Sequence, residues 1–222
     1  MDTILCIETS TTNCSVSLGR AGVILAHKEV NSENFSHSEQ LHSFIDDLLK
    51  SQNLNPKHLD AVSVSKGPGS YTGLRIGVSA AKGLAYALDI PLISVSTLLC
   101  IAKQVNTPAG LIIPMLDARR MEVYSQVFDA GHDPKREIKA EILDENSFAE
   151  ELNSGIVHFI GTGVEKFEAI CKHSNAIFHH KKLPSAKEQF FIAEWKFEEN
   201  IFEDIAYFEP FYLKDFVGHT SK

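Results

Sequence analysis

The order of hydrophobic periodicities constrains the fold of this chain most, because the same order occurs twice. Each half has three strand-like segments, a helical segment, a strand and a second helix. The first set lies at residues 3–8, 14–20, 23–30, 36–50, 61–65 and 72–88, followed by a strand at 91–95 and a short helix at 97–104. The second set lies at 111–116, 122–128, 137–142, 146–153, 156–160 and 164–173. We therefore predict an α/β protein whose two lobes are duplicated β-β-β-α-β-α units with mixed sheets.

The predicted boundary between the lobes is the turn-rich segment 106–110, which contains Pro108 and Gly110. This gives an N-terminal lobe at 1–106 and a smaller C-terminal lobe at 107–222. Beyond residue 172 the periodicity weakens, although 185–200 has the composition of a helix. The last residues are candidates for packing back on the N-terminal lobe.

Composition narrows the functional classes. Apolar residues make up 44% of the 222 residues, yet they form no run long enough to cross a bilayer, and the N-terminus does not resemble a signal peptide. The four cysteines, Cys6, Cys14, Cys100 and Cys171, lie far apart in the sequence, which favours reduced, buried thiols in a cytoplasmic protein. The net charge of -8 and the lack of a basic cluster argue against a direct tRNA-binding module.

A glycine-rich turn at residues 67–73 follows a predicted buried strand and opens a helix. Its sequence is neither a Walker A loop nor a dinucleotide fingerprint, because Gly67, Gly69 and Gly73 are spaced differently from both. A strand-to-helix turn capped by Ser70 or Thr72 is the favoured interpretation. Phosphate binding at the helix N-terminus is the alternative.

The helix at 72–88 is apolar or small around most of its circumference. Its polar residues Arg75, Ser79, Lys82 and Tyr86 share one narrow stripe. This pattern predicts burial on two sides, and the i+4 spacing of glycine and alanine residues would permit close backbone approach. The second covering surface is either the rest of the chain or another subunit.

Candidate polar groups occur at the start of each lobe. Glu8, Thr9 and Ser10 form a cluster after the first strand, and Asp117 ends the first strand of the second half. Such a cluster can contact a phosphate or a metal-bound water, or it can be a satisfied polar turn. The histidines show no metal-binding spacing, and the G-x-S-x-G motif of serine hydrolases is absent.

Several segments resemble the TsaB (YeaZ) family. They are IETS at residues 7–10, FSHSEQL at 35–41, GPGSYTGLRIG at 67–77, KGLA at 82–85, PLISVSTL at 91–98, DARRMEVY at 117–124 and, more weakly, PFYL at 210–213. The resemblance implies a two-lobed actin/Hsp70/sugar-kinase-like (ASKHA) fold and kinship with TsaD, the catalytic paralogue of the glycoprotease family. In TsaD a similar stretch ends in a His-x-x-x-His metal pair. Here the matching positions hold Thr97 and Ile101, neither of which replaces imidazole as a metal ligand.

The resemblance implies a pseudoenzyme: a non-catalytic scaffold that pairs with a TsaD-like catalytic subunit and a TsaE-like ATPase. The complex would threonylcarbamoylate the adenosine next to the anticodon in tRNAs reading ANN codons, and this chain would meet tRNA only within the complex. No cofactor is expected in this chain, whereas ATP and a divalent metal are expected in the partner subunits. A homodimer would use the same surface when TsaD is absent.

The expected subunit contacts lie on the two helices 36–50 and 72–88. They are Leu41, Ile45, Tyr71, Leu74, Arg75, Gly77, Val78 and Ala81. The alternative function is a stand-alone ATP-dependent kinase or a glycoprotease-like metallopeptidase. For a kinase, only Glu8 and Asp117 are candidate catalytic carboxylates in the cleft.

Overall fold

The computed structural model describes residues 2–32 and 37–214. The first half forms a five-stranded mixed sheet in the order β3-β2-β1-β4-β5. Its elements are β1 (Thr3–Glu8), β2 (Asn13–Arg20), β3 (Val23–Asn31), α1 (His37–Ser51), β4 (Ala61–Gly67), α2 (Tyr71–Leu88), β5 (Leu92–Ser96) and α3 (Thr97–Ala102). The predicted order of elements in this half is therefore confirmed. Residues 35 and 36, the start of the predicted first helix and of the FSHSEQL segment, lie outside the described residues.

Helices cover both faces of the first sheet, which explains why β1 is apolar throughout. Leu5 and Ile7 pack beneath α1 and α2, while Ile4 and Cys6 point to the opposite face. Strands buried on both faces lose the alternation of polar and apolar residues. Burial also raises the pKa of the Cys6 thiol to about 12, so this cysteine is a packing residue and a poor nucleophile.

The second half forms a six-stranded sheet in the order β11-β10-β6-β7-β9, with β8 paired to β6. Its elements are β6 (Leu111–Asp117), β7 (Glu122–Ser125), β8 (Phe128–Asp129), β9 (Lys139–Ile142), α4 (Ala149–Ser154), β10 (Val157–Ile160), α5 (Val164–Glu168), β11 (Ala176–His179) and α6 (Ala186–Glu198). The two-lobed α/β architecture with mixed sheets is confirmed.

Three predictions in the second half were wrong. The strand expected at 122–128 is interrupted after Ser125, and the chain then forms the short β8, which pairs with β6. The helix expected at 164–173 ends at Glu168. The edge strand β11 was missed, because four residues are too few to show a period. The second half is thus an elaborated form of the repeated unit.

The end of the chain returns to the first sheet. Helix α6 places Phe190 and Ala193 against Ile4 and Cys6. The backbone then continues along the sheet, where the N–H of Glu203 donates to the Leu92 carbonyl at 2.8 Å. Both faces of the first sheet are therefore covered by helices from distant parts of the sequence. None of the helices in residues 2–32 and 37–214 combines the length and apolar character needed to cross a membrane.

Candidate functional site

The glycine-rich turn is a capped entrance to α2. The Ser70 hydroxyl accepts a hydrogen bond from the N–H of Gly73 at 3.3 Å, which is the N-cap arrangement. The Ser70 N–H donates to the carbonyl of Ser10 at 2.7 Å. The capping interpretation of residues 67–73 is therefore confirmed, and the cap also ties α2 to the turn after β1.

The glycines in and before α2 allow this turn to approach closely. A Cβ atom on Gly73 would lie 2.0 Å from the Thr9 carbonyl oxygen, and one on Gly77 would lie 2.2 Å from Thr9 Oγ1. The Thr9 hydroxyl in turn donates to the Gly73 carbonyl at 2.7 Å. Gly77 therefore accommodates a contact within the chain, and its assignment to a subunit interface was wrong.

Glu8 lies in the core beneath this turn. Its carboxylate accepts a hydrogen bond from the Ser10 N–H at 2.6 Å and another from the Ser65 hydroxyl. Burial raises the pKa of Glu8, and the hydrogen bonds from Ser10 and Ser65 oppose this shift. Glu8, Thr9 and Ser10 are each at most 1% exposed. The contacts of Glu8 and Thr9 are those of a buried polar turn, whereas Ser10 Oγ is buried without a hydrogen-bond partner among the described residues.

Asp117 is held in a separate arrangement at the end of β6. Its carboxylate accepts from Lys166 Nζ at 2.7 Å and from the Arg119 N–H at 2.6 Å. The Asp117 N–H donates to Thr162 Oγ1 at 2.9 Å. These contacts fix the turn between β6 and β7. Within the described ranges, no hydrogen bond joins Asp117 to Glu8.

The two positions that match the TsaD metal pair lie in the core. Thr97, the first residue of α3, and Ile101, one turn later, are both fully buried. In the part of the chain that the structure describes, no group of three or more His, Cys, Asp or Glu side chains is arranged to hold a metal ion.

Most of the expected subunit contacts were placed on the wrong side of their helices. Five of them are at most 6% exposed, and they belong to core clusters or face the first sheet: Leu41, Ile45, Leu74, Val78 and Ala81. The physical reason is that the apolar stripe of an amphipathic helix packs first against its own sheet. Only Tyr71 and Arg75 of the expected set reach the surface.

The exposed face of α2 contains different residues. Ser79, Gly83 and Tyr86 are exposed, and Ile76 and Ala80 are half-buried beside them. A Cβ on Gly83 would meet no atom of the chain within 4 Å, and the Tyr86 side chain is 81% exposed. This face is a shallow strip of small and apolar side chains that sequence reasoning missed. The 3.6-residue period shows that two faces exist, but it does not show which one is covered.

The C-terminal segment borders this strip. The ring of Tyr212 stacks on Tyr71 with 4.1 Å between centroids, and Arg75 lies over the Tyr71 ring while its Nε donates to the Tyr212 hydroxyl at 3.2 Å. Lys82 Nζ donates to the Phe208 carbonyl at 2.9 Å. Two of the four residues in the predicted polar stripe are thus engaged by the chain itself, whereas Ser79 and Tyr86 remain exposed.

The sequence of this chain is similar to those of known proteins. A family profile described as "TsaD: tRNA N6-adenosine threonylcarbamoyltransferase" matches residues 29–218. The Escherichia coli K12 "tRNA threonylcarbamoyladenosine biosynthesis protein TsaB" is 31% identical over 226 residues, covering 97% of this chain and 96% of the relative. The Bacillus subtilis protein of the same name is 40% identical over 126 residues, 57% of this chain and 55% of the relative.

Solved structures agree with these sequence matches. YeaZ from Pseudomonas aeruginosa superposes with a TM-score of 0.82 at 26% identity, over 96% of this chain and all of that one. A second crystal structure, described as an uncharacterized protein with similarity to peptidase YEAZ from Pseudomonas aeruginosa, reaches a TM-score of 0.86 at the same identity and coverage. The similarity therefore extends over both sheets of the chain.

Proposed function

The chain belongs to the TsaB (YeaZ) family, and from this premise we propose that it is a non-catalytic subunit that pairs with a TsaD-type catalytic subunit. Its role lies in the biosynthesis of threonylcarbamoyladenosine in tRNA. Within that role, the chain provides a rigid helical surface, and the partner performs the transfer of the threonylcarbamoyl group to the adenosine next to the anticodon.

The exposed face of α2 is the observation that supports pairing there. Ala80 and Gly83 have no long side chains, so the backbone of a partner helix can approach closely at these positions. Ile76 and the largely exposed ring of Tyr86 add apolar area, and aromatic residues of this kind are enriched in the centres of protein interfaces. The same strip would serve a homodimer when the partner is absent.

The non-catalytic role is supported by the residues that occupy the candidate positions. Thr97 and Ile101 supply a hydroxyl group and a hydrocarbon where the TsaD pair would supply imidazoles. Both are packed in the core, together with Glu8, the carboxylate that a kinase would need in its cleft. These observations favour a scaffold over a stand-alone kinase or metallopeptidase.

The other components follow from the same proposal. A TsaE-type ATPase acts on the pair, with ATP and a divalent metal bound in the partner subunits. The net charge of -8 disfavours direct binding of this chain to tRNA, so tRNA contacts it only through the cytoplasmic complex.

A charge on the exposed strip tests the pairing surface. Gly83→Glu should weaken binding to the TsaD protein of the same organism at least about tenfold, because a carboxylate would be desolvated at the contact. Inside the chain the new side chain meets open space, so the fold should be retained. Ala169→Glu, at the exposed end of α5, is the matched control and should bind normally.

Two measurements decide the outcome. Calorimetric titration gives the affinity for TsaD, and threonylcarbamoyl transfer by the reconstituted TsaD–TsaE mixture reports the loss of activation. Unchanged affinity of a folded Gly83→Glu variant would show that α2 is not the contact surface.

A further inference from the structure

A polar cleft of about 440 Å³ lies where the first sheet meets the connection between β11 and α6. Asn13 on β2 and Asn31 on β3 form one wall, and Gln104 follows α3. The opposite wall is the segment that leads into α6, with Lys181 and Lys182. The cleft is therefore built from residues that are far apart in the sequence, and its volume falls within the range of small-molecule sites.

The carboxylate of Glu29, which lines the cleft, already has hydrogen-bond and ion-pair partners within the chain. Glu29 accepts hydrogen bonds from Ser185 Oγ at 2.8 Å and Asn13 Nδ2 at 3.3 Å, and Lys187 Nζ lies 3.7 Å from its other oxygen. Burial opposes ionisation of Glu29, but these hydrogen bonds outweigh it, so that its pKa lies below the usual value. Glu29 therefore neutralises one lysine and leaves the others available.

Lys181 and Lys182 are exposed side chains in the lining of the cleft, and Lys182 is close enough to Glu188 to lower the pKa of that carboxyl. Within residues 2–32 and 37–214, Lys181 and Lys182 form no ion pair and donate no side-chain hydrogen bond. In the same ranges other exposed lysines, such as Lys57 and Lys139, also make no ion pair, and Lys181 and Lys182 differ from them by lining a cleft. A cleft concentrates the field of such charges and attracts anions.

Two further polar side chains, those of Glu188 and Asn31, line the cleft. Glu188 has a buried carboxyl oxygen without a partner among the described residues, and burial raises the pKa of this carboxyl. Lys187 and Lys182 oppose this shift, so Glu188 lies within the electrostatic reach of two lysines of the cleft. The side-chain amide of Asn31 offers further donors, and Leu183 is the one apolar lining residue.

We propose that this cleft binds a small phosphate-bearing anion, with Lys181 and Lys182 contacting the phosphate and the side-chain amide of Asn31 contacting the rest of the ligand, while Gln104 Nε2 donates to the Leu183 carbonyl at 2.7 Å and so holds the wall in place. The ammonium groups supply the charge-assisted hydrogen bonds that phosphate oxygens accept most strongly. The lining excludes an apolar ligand, and a metal cation would be repelled by the lysines. This site is separate from the α2 strip, so it does not depend on the subunit pairing.

Calorimetric titration of the full chain at low ionic strength tests the proposal, because salt screens exposed charges. The probes are inorganic pyrophosphate, AMP and citrate. Saturable binding of pyrophosphate or AMP is expected, with citrate at least tenfold weaker. Tighter binding of AMP than of pyrophosphate would identify a nucleotide as the source of the phosphate, and the reverse order would identify an inorganic phosphate.

Variants of the two cleft lysines test whether the ligand binds in this cleft. Replacing both Lys181 and Lys182 by Ala should weaken binding about a hundredfold, since each charged hydrogen bond contributes roughly tenfold. Replacing both by Arg keeps the charges and should retain binding. Lys57→Ala with Lys139→Ala removes the same charge from exposed positions outside the cleft and should change nothing.

Three results would overturn the proposal. The first is no saturable binding of either phosphate probe to the unmodified chain, and the second is equal affinity for citrate. The third is equal weakening by the cleft and control variants. Unfolding midpoints of the variants, measured in the same buffer, exclude a loss of fold as the cause of lost binding.

Discussion

Replacing Gly77 and Gly83 by alanine should change the stability of the chain in opposite directions, although both glycines lie within α2. Alanine in a helix is favoured over glycine by about 0.5–1 kcal/mol, because glycine loses more backbone freedom on folding. At Gly83 the added methyl group would meet no atom within 4 Å. Gly83→Ala should therefore raise the free energy of unfolding by the full amount of about 0.5–1 kcal/mol.

At Gly77 the same methyl group would collide with the turn after β1. The Cβ would lie 2.2 Å from Thr9 Oγ1, whose hydroxyl donates to the buried Gly73 carbonyl. Rotating the hydroxyl away sacrifices a buried hydrogen bond, and moving α2 away from the sheet strains the packing. Either route costs about 1–3 kcal/mol. After the helix gain of about 0.5–1 kcal/mol is subtracted, a central cost of about 2 kcal/mol leaves Gly77→Ala with a free energy of unfolding lowered by about 1–1.5 kcal/mol.

Urea unfolding followed by circular dichroism measures both effects as shifts of the midpoint at constant slope. A double-mutant cycle then identifies the cause. In a Thr9→Ala background the obstructing hydroxyl is absent, so Gly77→Ala should lose most of its cost. If Gly77→Ala stabilises the chain as much as Gly83→Ala does, the close approach of the turn to α2 is not what holds glycine at this position.

Two further predictions concern the core carboxyl and the C-terminal segment. Burial raises the pKa of Glu8, so above about pH 4.3 the folded chain keeps a proton that the unfolded chain has lost, and stability falls as pH rises toward the folded-state pKa. The free energy of unfolding of Glu8→Gln, relative to that of the wild-type chain, should therefore increase between pH 4 and pH 8. A difference that does not change with pH would contradict a raised pKa of Glu8. Glu165→Gln, at an exposed position, is the control. Tyr212→Ala should lower the free energy of unfolding by about 0.5–1.5 kcal/mol through loss of the stacked pair with Tyr71, and Tyr212→Phe should lose less because the ring remains. Additive effects of Tyr212→Ala and Tyr71→Ala would refute that coupling.

The sequence alone determined the order of elements in the first half and the cap of α2. Periods of 2 and 3.6 residues are local properties, and so is a Ser70 hydroxyl three residues before the N–H that it accepts from. The break after β7 and the strand β11 were missed because short strands are defined by their pairing partners. Pairing with a distant strand leaves little trace in four residues.

The site depended more on the tertiary structure. The sequence showed that α2 is mostly apolar and small, but it did not show which side packs on the first sheet. Leu74 and Val78 therefore appeared equivalent to Ile76 and Ala80 until the fold separated them. The spacing of Gly73 and Gly77 predicted a close backbone approach without showing its source, and the contacting atoms belong to Thr9, 64 residues before Gly73.

The polar cleft could not be predicted from the sequence either. Glu29, Lys181 and Glu188 have no common sequence pattern, and they meet only because the chain returns to the first sheet after the second is complete. Local sequence specifies backbone geometry through sterics and hydrogen bonding over a few residues. Which charges are paired, and which remain free to bind a ligand, is decided by contacts between distant segments that only the folded chain brings together.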